Sequence, residues 1–280
     1  MQKIFYNGRE HEIPERIEEL STDQYLAYLS LWSKTMIFQD YNWAFADVAQ
    51  IQMPSGAVLV PLADPRLNWL MTLLGISQPG LLADGRLLEL WEARHSVEGF
   101  IKRDDDGKWD FTLDTLVNLW PEFGEYRGPG EWLEGVKFGE FTECLAVLGG
   151  PDSAGGTVPE EACEHIARVL YHVPEGVALP PGLPWHATRL FINVWHAIQS
   201  GPVMINGQPV DFRIIFAPAK DQRARPDDGT AWTGITFEIA KEGPFGNVKE
   251  VEASDMWQVL LWLYKCKFEY IHDRDRRANS

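Results

Sequence analysis

The chain has 280 residues, of which 45% are hydrophobic and 12% aromatic, and this composition excludes a wholly disordered protein. Its length suits one large domain or two modest ones, and its formal net charge of −16 opposes binding to the phosphate backbone of nucleic acids. Cys144, Cys163 and Cys266 lack CxxC spacing, so we expect neither a disulfide framework nor a zinc knuckle. All three lie in helical apolar patterns that predict buried thiols.

The beginning of the chain lacks the basic and apolar regions of a signal peptide, and no window of 18 apolar residues is free of charge. We therefore expect a cytosolic protein with no membrane association. Residues 3–13 predict a hairpin, because Asn7-Gly8 supplies the positive φ angles of a two-residue turn. An amphipathic helix should follow, with Ser21 or Thr22 as its N-cap.

The next hundred residues mix extended and helical patterns. Two short extended runs surround a Pro-Ser-Gly turn within 41–63, and a helix should begin at Pro65 with Asp64 as its cap. A further helix is expected near 87–91. Residues 100–112 predict a hairpin with an acidic tip.

Helices alternate with turn-rich loops in the second half of the chain. A helix is predicted from Phe138, and two more follow a flexible connection at 151–159. Residues 203–216 repeat the Asn-Gly hairpin pattern, with Pro209 restricting the second strand to a sheet edge. We predict an α+β fold, predominantly α-helical with a few small β-hairpins. The expected division is 1–150, a hairpin-plus-helices region, and 151–280, a helical region, unless the two form one continuous domain.

Catalytic signatures are absent from the sequence: GxSxG, GxxxxGK[ST] and GxGxxG do not occur. Glu161, His165 and His172 share one helical face at spacings suited to metal ligands, which leaves a metal-dependent hydrolase as an alternative. An ordinary polar face with a carboxylate-histidine pair explains the same pattern. We predict no catalytic residue, no metal site and no cofactor.

Aromatic side chains are the most prominent feature of the last helix. Its apolar residues cover a wider arc than the roughly 100° that one core-facing stripe needs. Met256, Val259, Leu260 and Leu263 form one stripe. Trp257, Leu261, Tyr264 and Phe268 form a second stripe, which we predict binds a partner protein; the alternative is that both stripes are internal.

Four segments carry a family likeness, and in chain order they are IFYNGREHEIPERIEELSTDQYLAYLSL, YRGPGEWLEGVKFGEFTECLAVL, WHATRLFINVWHAI, and a W-x-x-x-x-F-x-x-A-x-x-G-x-F-G pattern formed by Trp232, Phe237, Ala240, Gly243, Phe245 and Gly246. Together they resemble a family encoded in the tail gene clusters of phages and prophages, the tail-assembly chaperones and tail accessory proteins. The chain departs from the family pattern at GTVPEE, in the Pro-rich loop at 174–184 and at Pro244.

The resemblance implies a non-enzymatic protein that binds another phage protein, either a tape measure or a tail subunit, in the host cytoplasm or in the virion tail. A ring-forming structural tail or connector subunit, and hence a homo-oligomer, is the alternative.

The turn before the last helix consists of Gly243, Pro244, Phe245 and Gly246. It predicts an αα-hairpin in which the last helix packs back on the helix of Trp232 and Phe237. Ser254 is the predicted N-cap of that last helix, with Asp255 at the positive end of its dipole.

Overall fold

Helices dominate the chain, and its strands form only small antiparallel pairs. The computed structural model describes residues 1–37, 48–53, 56–62, 64–76, 85–103, 107–112, 114–149, 158–216 and 231–278. The helices in these ranges are α1 (Thr22–Ile37), α2 (Pro65–Leu73), α3 (Gly85–Ala93), α4 (Phe138–Val147), α5 (Glu160–Tyr171), α6 (Leu183–Ser200), α7 (Arg213–Phe216), α8 (Ala231–Glu242), α9 (Val248–Ala253) and α10 (Met256–Ala278).

The strands are β1 (Gln2–Tyr6), β2 (Arg9–Ile13), β3 (Val48–Met53), β4 (Gly56–Pro61), β5 (Ile101–Arg103), β6 (Trp109–Phe111), β7 (Glu122–Phe123), β8 (Tyr126–Arg127), β9 (Val203–Ile205) and β10 (Gln208–Val210). The strands pair as β1–β2, β3–β4, β5–β6, β7–β8 and β9–β10, which gives five two-stranded sheets in the part of the chain that the structure describes. The predicted α+β class with a helical majority is therefore confirmed.

The chain divides into two compact units, Met1–Thr115 and Leu116–Ser280. The predicted division at 150/151 lies inside the second of these units. Helices α4 and α5, on either side of that position, pack against each other. Residues 151–157, most of the flexible connection predicted at 151–159, lie outside the described residues.

The two Asn-Gly hairpins form as predicted. In the first hairpin Tyr6 pairs with Arg9, and Asn7 and Gly8 have φ angles of 50° and 71°. In β9–β10 the corresponding angles are 49° at Asn206 and 76° at Gly207. Positive φ at both central residues matches the right-handed twist of the strands, which explains why a local signal sufficed here.

Two predicted helix caps are also present. At the start of α1 the Gln24 amide nitrogen donates to Ser21 Oγ at 3.3 Å, and the Ser21 amide donates to Gln24 Oε1 at 2.9 Å. Asp64 accepts from the Arg66 amide at 2.8 Å and so caps α2, with Pro65 at the first helical position. Each cap satisfies backbone donors that have no partner inside the helix.

Unit 1 encloses an aromatic cluster around Tyr28, which is fully buried on α1. Its ring centroid lies 4.9 Å from that of Trp69, 5.9 Å from that of Phe100 and 5.6 Å from that of Phe111. The Tyr28 hydroxyl donates to the Phe100 carbonyl oxygen at 2.6 Å, with the Thr112 carbonyl oxygen at 3.2 Å. Burial raises the pKa of Tyr28, and we name this group of four rings the Tyr28 cluster.

Unit 2 is built on α4, α5 and α6, with Phe141 of α4 at its centre. The Phe141 ring lies 5.7 Å from Phe191, 5.6 Å from Trp195 and 5.9 Å from Trp232, measured between centroids. The edge-to-face geometry of the two tryptophan contacts is the arrangement that aromatic quadrupoles favour. This core supports the start of α10.

Several elements differ from the sequence-based expectation. Residues 213–216, predicted as part of a strand, form the helical turn α7, and β7–β8 is a hairpin that the sequence did not indicate. The polar loop at 220–230 lies outside the described residues. None of the helices in the described ranges has the length and apolar character needed to cross a bilayer.

Candidate interaction surface on the C-terminal helix

The Gly-Pro-Phe-Gly turn follows α8 directly. Gly243 approaches the Ile239 carbonyl oxygen so closely that a Cβ atom there would collide with it. Gly246 has φ +85°, a backbone conformation that side-chain-bearing residues rarely adopt. The Phe245 ring packs edge-to-face on Trp262 of α10, with centroids 6.1 Å apart and planes at 87°. The local geometry thus favours glycine at both positions, at Gly243 through a close approach and at Gly246 through its positive φ.

The predicted two-helix hairpin needs a correction, because an extra helix intervenes. After the turn, Asn247 accepts from the amides of Lys249 and Glu250 at 3.0 Å and 3.3 Å, and the Glu250 carboxylate accepts from the Asn247 amide at 2.7 Å. This capping box starts the short helix α9. The main contacts of α8 are with α9, whereas those of α10 are with α7 and α4.

The N-cap of α10 is Asp255, not Ser254 as predicted. Asp255 Oδ1 accepts from the Gln258 amide at 3.1 Å, while the Ser254 hydroxyl donates to the Glu250 carbonyl oxygen at 2.7 Å and so closes α9. The serine was the wrong choice because the preceding helix ends on it. Backbone bonds from Phe138 to Ser254 (2.8 Å) and from Met256 to Val136 (3.1 Å) fix the beginning of α10.

One stripe of α10 faces the core of unit 2. Met256, Val259 and Leu260 are fully buried, and Leu263 is half-buried. These are the residues of the first predicted stripe. Their burial leaves the second stripe, which lies to one side of it, only partly covered.

The second stripe begins in contact with its own chain. The Trp257 indole Nε1 donates to the Trp132 carbonyl oxygen at 3.0 Å, and its ring lies 5.9 Å from the buried ring of Phe212. Trp132 itself has φ 55°, which is unfavourable for a bulky residue. The indole bond therefore helps to hold a strained turn, and the half-buried Trp257 has a structural role.

The same stripe becomes exposed toward the end of the helix. Leu261 and Tyr264 are half-buried, and the Tyr264 ring packs on Phe212 at 6.0 Å. Phe268 stacks on Tyr264 with centroids 5.9 Å apart and planes at 25°, yet the residue is 53% exposed. Of the four residues predicted to bind a partner, Phe268 is the one the structure leaves most open.

The histidines of the alternative metal site lie against carboxylates of α4. His165 Nε2 lies 2.8 Å from Glu143 Oε1, and His172 Nδ1 lies 3.5 Å from Glu140 Oε1. His172 occupies the C-cap of α5 with φ 54°, which takes it out of the helical register assumed for it. Glu161 is exposed. Across the described residues, no three His, Cys, Asp or Glu side chains gather as metal ligands would.

A buried polar network in unit 2 centres on Asn118. Its Oδ1 accepts from the Trp120 amide at 3.0 Å and lies 2.8 Å from His186 Nε2, and its Nδ2 donates to the Pro129 carbonyl oxygen at 2.8 Å. The Tyr171 hydroxyl donates to the Trp120 carbonyl oxygen at 2.6 Å. Burial lowers the pKa of His186 to about 3 and raises that of Tyr171.

This network links α5 and α6 to the segment 116–130, which includes the β7–β8 hairpin, so we assign it to the stability of the fold. Sequence inspection missed it, because a lone Asn in a loop carries no signal of the partners it meets 53 and 68 residues later.

The cysteines follow the prediction in part. Cys144 and Cys163 are buried and burial raises their pKa, whereas Cys266 is exposed, because α10 continues past the residues that cover its first half.

No known family model matches the chain, and neither does any curated protein or solved structure.

Proposed function

We propose that this chain is a non-enzymatic, phage-type tail assembly protein, chaperone-like or accessory, that binds another viral protein through the aromatic stripe of α10. The stripe consists of Trp257, Leu261, Tyr264 and Phe268. The proposal combines the resemblance of the sequence to tail-cluster proteins with the geometry of this helix.

The single observation that carries the proposal is the gradient of exposure along the stripe. Trp257 is anchored by its hydrogen bond to Trp132, and Phe268 stands 53% exposed three turns later on the same helix. Isolated exposed apolar residues are common on protein surfaces, but a continuous apolar stripe that leaves the core is the form of a helix-binding site. A partner helix packed on Phe268 would extend the buried part of the stripe.

The charge of the protein also supports a chaperone-like role. With a formal net charge of −16, the chain would keep a complex dispersed while it covers an apolar helical client such as a tape measure. A rigid, aromatic surface needs little ordering on binding, because each ring has only two side-chain torsions.

Co-expression with a phage tape-measure protein, followed by capture of the complex at low and moderate salt, tests the proposal. We expect capture by the wild-type chain and its loss in Phe268→Glu. The matched control is Phe5→Glu, because Phe5 is also an exposed phenylalanine, 70% accessible, but lies in unit 1.

Failure of the wild type to capture the client, or equal loss in both variants, would contradict the proposed surface. Sedimentation of the chain alone separates the alternative function: a stable closed ring would favour the structural tail subunit.

A further inference from the structure

The stripe on α10 extends beyond Trp257, Leu261, Tyr264 and Phe268. Ile271, which is half-buried, extends it to Trp257, Leu261, Tyr264, Phe268 and Ile271, with successive spacings of four, three, four and three. This is the heptad spacing of positions a and d in a two-helix seam. The last two residues lie in the part of α10 that continues beyond the buried stripe ending near Leu263.

The positions that flank this seam carry basic side chains. With Leu261 and Phe268 at a, the e positions are Lys265 and His272, and the g positions are Lys267 and Arg274. The acidic residues Glu269 and Asp273 fall at b and f, on the outer face of the helix. Lys265 and Glu269 approach no closer than 4.0 Å and both are well exposed, so this pair holds the lysine only weakly.

Charge decides what can cover the seam. In an antiparallel pair with a second copy of this chain, e meets e and g meets g, so basic side chains would face basic side chains. In a parallel pair g meets the following e of the partner helix, so Lys267 would face His272 and find no carboxylate. Like charges across such an interface disfavour the pair. An acidic partner would instead meet a local basic border on a protein that is strongly acidic overall.

We propose that the seam binds an amphipathic helix of another protein whose own apolar stripe is bordered by glutamate or aspartate. This rests on the proposed function and specifies its partner: the client segment is helical, apolar along one face and acidic at both edges of that face. The contacts predicted are ring and aliphatic packing on Phe268 and Ile271, with carboxylates beside Lys265 and Lys267.

An anionic membrane is the other surface that a basic-bordered helix can bind. The structure favours a protein partner, because the exposed apolar surface of the stripe beyond Leu263 is limited to Phe268 and the half-buried Ile271, which is little for insertion into a bilayer.

Cys266 allows the test to be made on the full chain. It lies at position f, outside the seam, and it is exposed while Cys144 and Cys163 are buried, so a fluorescent maleimide should label it selectively. Two designed helical peptides serve as probes, both with leucine at a and d, one with glutamate and the other with lysine at e and g. Fluorescence titration of the labelled chain measures both affinities, and vesicles containing anionic lipid form a third arm.

We expect the glutamate peptide to bind at least about tenfold more tightly than the lysine peptide, with the order reversed in the double variant Lys265→Glu, Lys267→Glu. The control is Arg9→Glu, Lys102→Glu, which changes the net charge equally at exposed positions of unit 1 and should keep the wild-type order. Circular dichroism verifies that all variants fold.

Equal binding of both peptides, binding of neither, or binding of vesicles alone would overturn the inference. So would a dimer of the free chain that Phe268→Glu dissociates. The client capture described above separates the two proposals. If the client is lost in Phe268→Glu but is still captured by the double variant Lys265→Glu, Lys267→Glu, the proposed function stands and the acidic partner helix is refuted.

Discussion

The Tyr28 cluster of unit 1 and the stripe of α10 are both rows of aromatic rings, but only the first is closed. Tyr28 and Trp69 have no accessible surface, and the tyrosine hydroxyl is satisfied by backbone carbonyl oxygens. On α10 the contacts decline from the hydrogen-bonded Trp257 to the exposed Phe268. The difference shows that ring content by itself does not distinguish a core from a binding surface; the neighbours supplied by the fold do.

The largest effect should come from truncating the closed cluster. Trp69→Ala removes a fully buried ring that contacts Tyr28 at 4.9 Å and Phe100 at 5.7 Å. We expect unit 1 to lose about 3–5 kcal/mol, the usual cost of a large core cavity. Hydrogen exchange measured in one sample reports the loss of stability in each unit separately, with the amides of α2 reporting on unit 1 and those of α10 on unit 2. A loss below about 1 kcal/mol would mean that the cluster is not closed.

The second prediction concerns the buried Asn118–His186 network of unit 2, and it tests whether water is excluded from this part of the core. His186 is buried and its pKa lies near 3, below its ordinary value of 6.5, so it is neutral when folded and gains a proton on unfolding. Stability should therefore fall as the pH drops from about 6.5 toward 3, at about 1.4 kcal/mol per pH unit at most from this group. The loss should level off once the folded protein also binds the proton.

His186→Gln keeps an N–H donor for Asn118 but does not titrate. Urea unfolding of both chains between pH 7 and pH 5, above the range in which most carboxylates protonate, isolates the histidine. We expect the stability difference between wild type and variant to shrink by about 2 kcal/mol over this range. Parallel curves would indicate that water reaches the network and that unit 2 is open in more than one place.

How much the sequence can predict depends on the range of the contacts involved. The turns of the Asn-Gly hairpins and the Asp64 cap depend on contacts within four residues, so local sequence patterns were enough to predict them. The two stripes of α10 are a property of one helix, so its periodicity is enough to define them.

What covers each stripe depends on residues far away in the chain. Trp132 is 125 residues from Trp257, and Phe212 lies in a segment whose pattern favoured a strand but which leads into α7. No local pattern encodes such distances. The structural role of Trp257 and the exposure of Cys266 were therefore accessible only from the fold.

A smaller effect is expected at the anchored end of the stripe. Trp257→Phe keeps an aromatic ring beside Phe212 but removes the hydrogen bond to the Trp132 carbonyl oxygen. We expect a loss of about 1 kcal/mol, since the carbonyl group is left without this donor while most of the packing remains. Hydrogen exchange at the amides near Trp132 should rise more than exchange in α5. An unchanged rate near Trp132 would show that the bond does not hold the strained turn.

The smallest effect on stability should come from the open end. Phe268→Ala removes a ring that is 53% exposed and stacks only on Tyr264 among the ring contacts found for it in the described chain. Surface truncations of this kind usually change the free energy of unfolding by no more than about 0.5 kcal/mol. Urea unfolding monitored in unit 2 measures it, with Phe141→Ala as the buried comparison. If Phe268→Ala lowered the free energy of unfolding as much as Phe141→Ala does, Phe268 would be a core residue. The stripe of α10 would then be closed like the Tyr28 cluster.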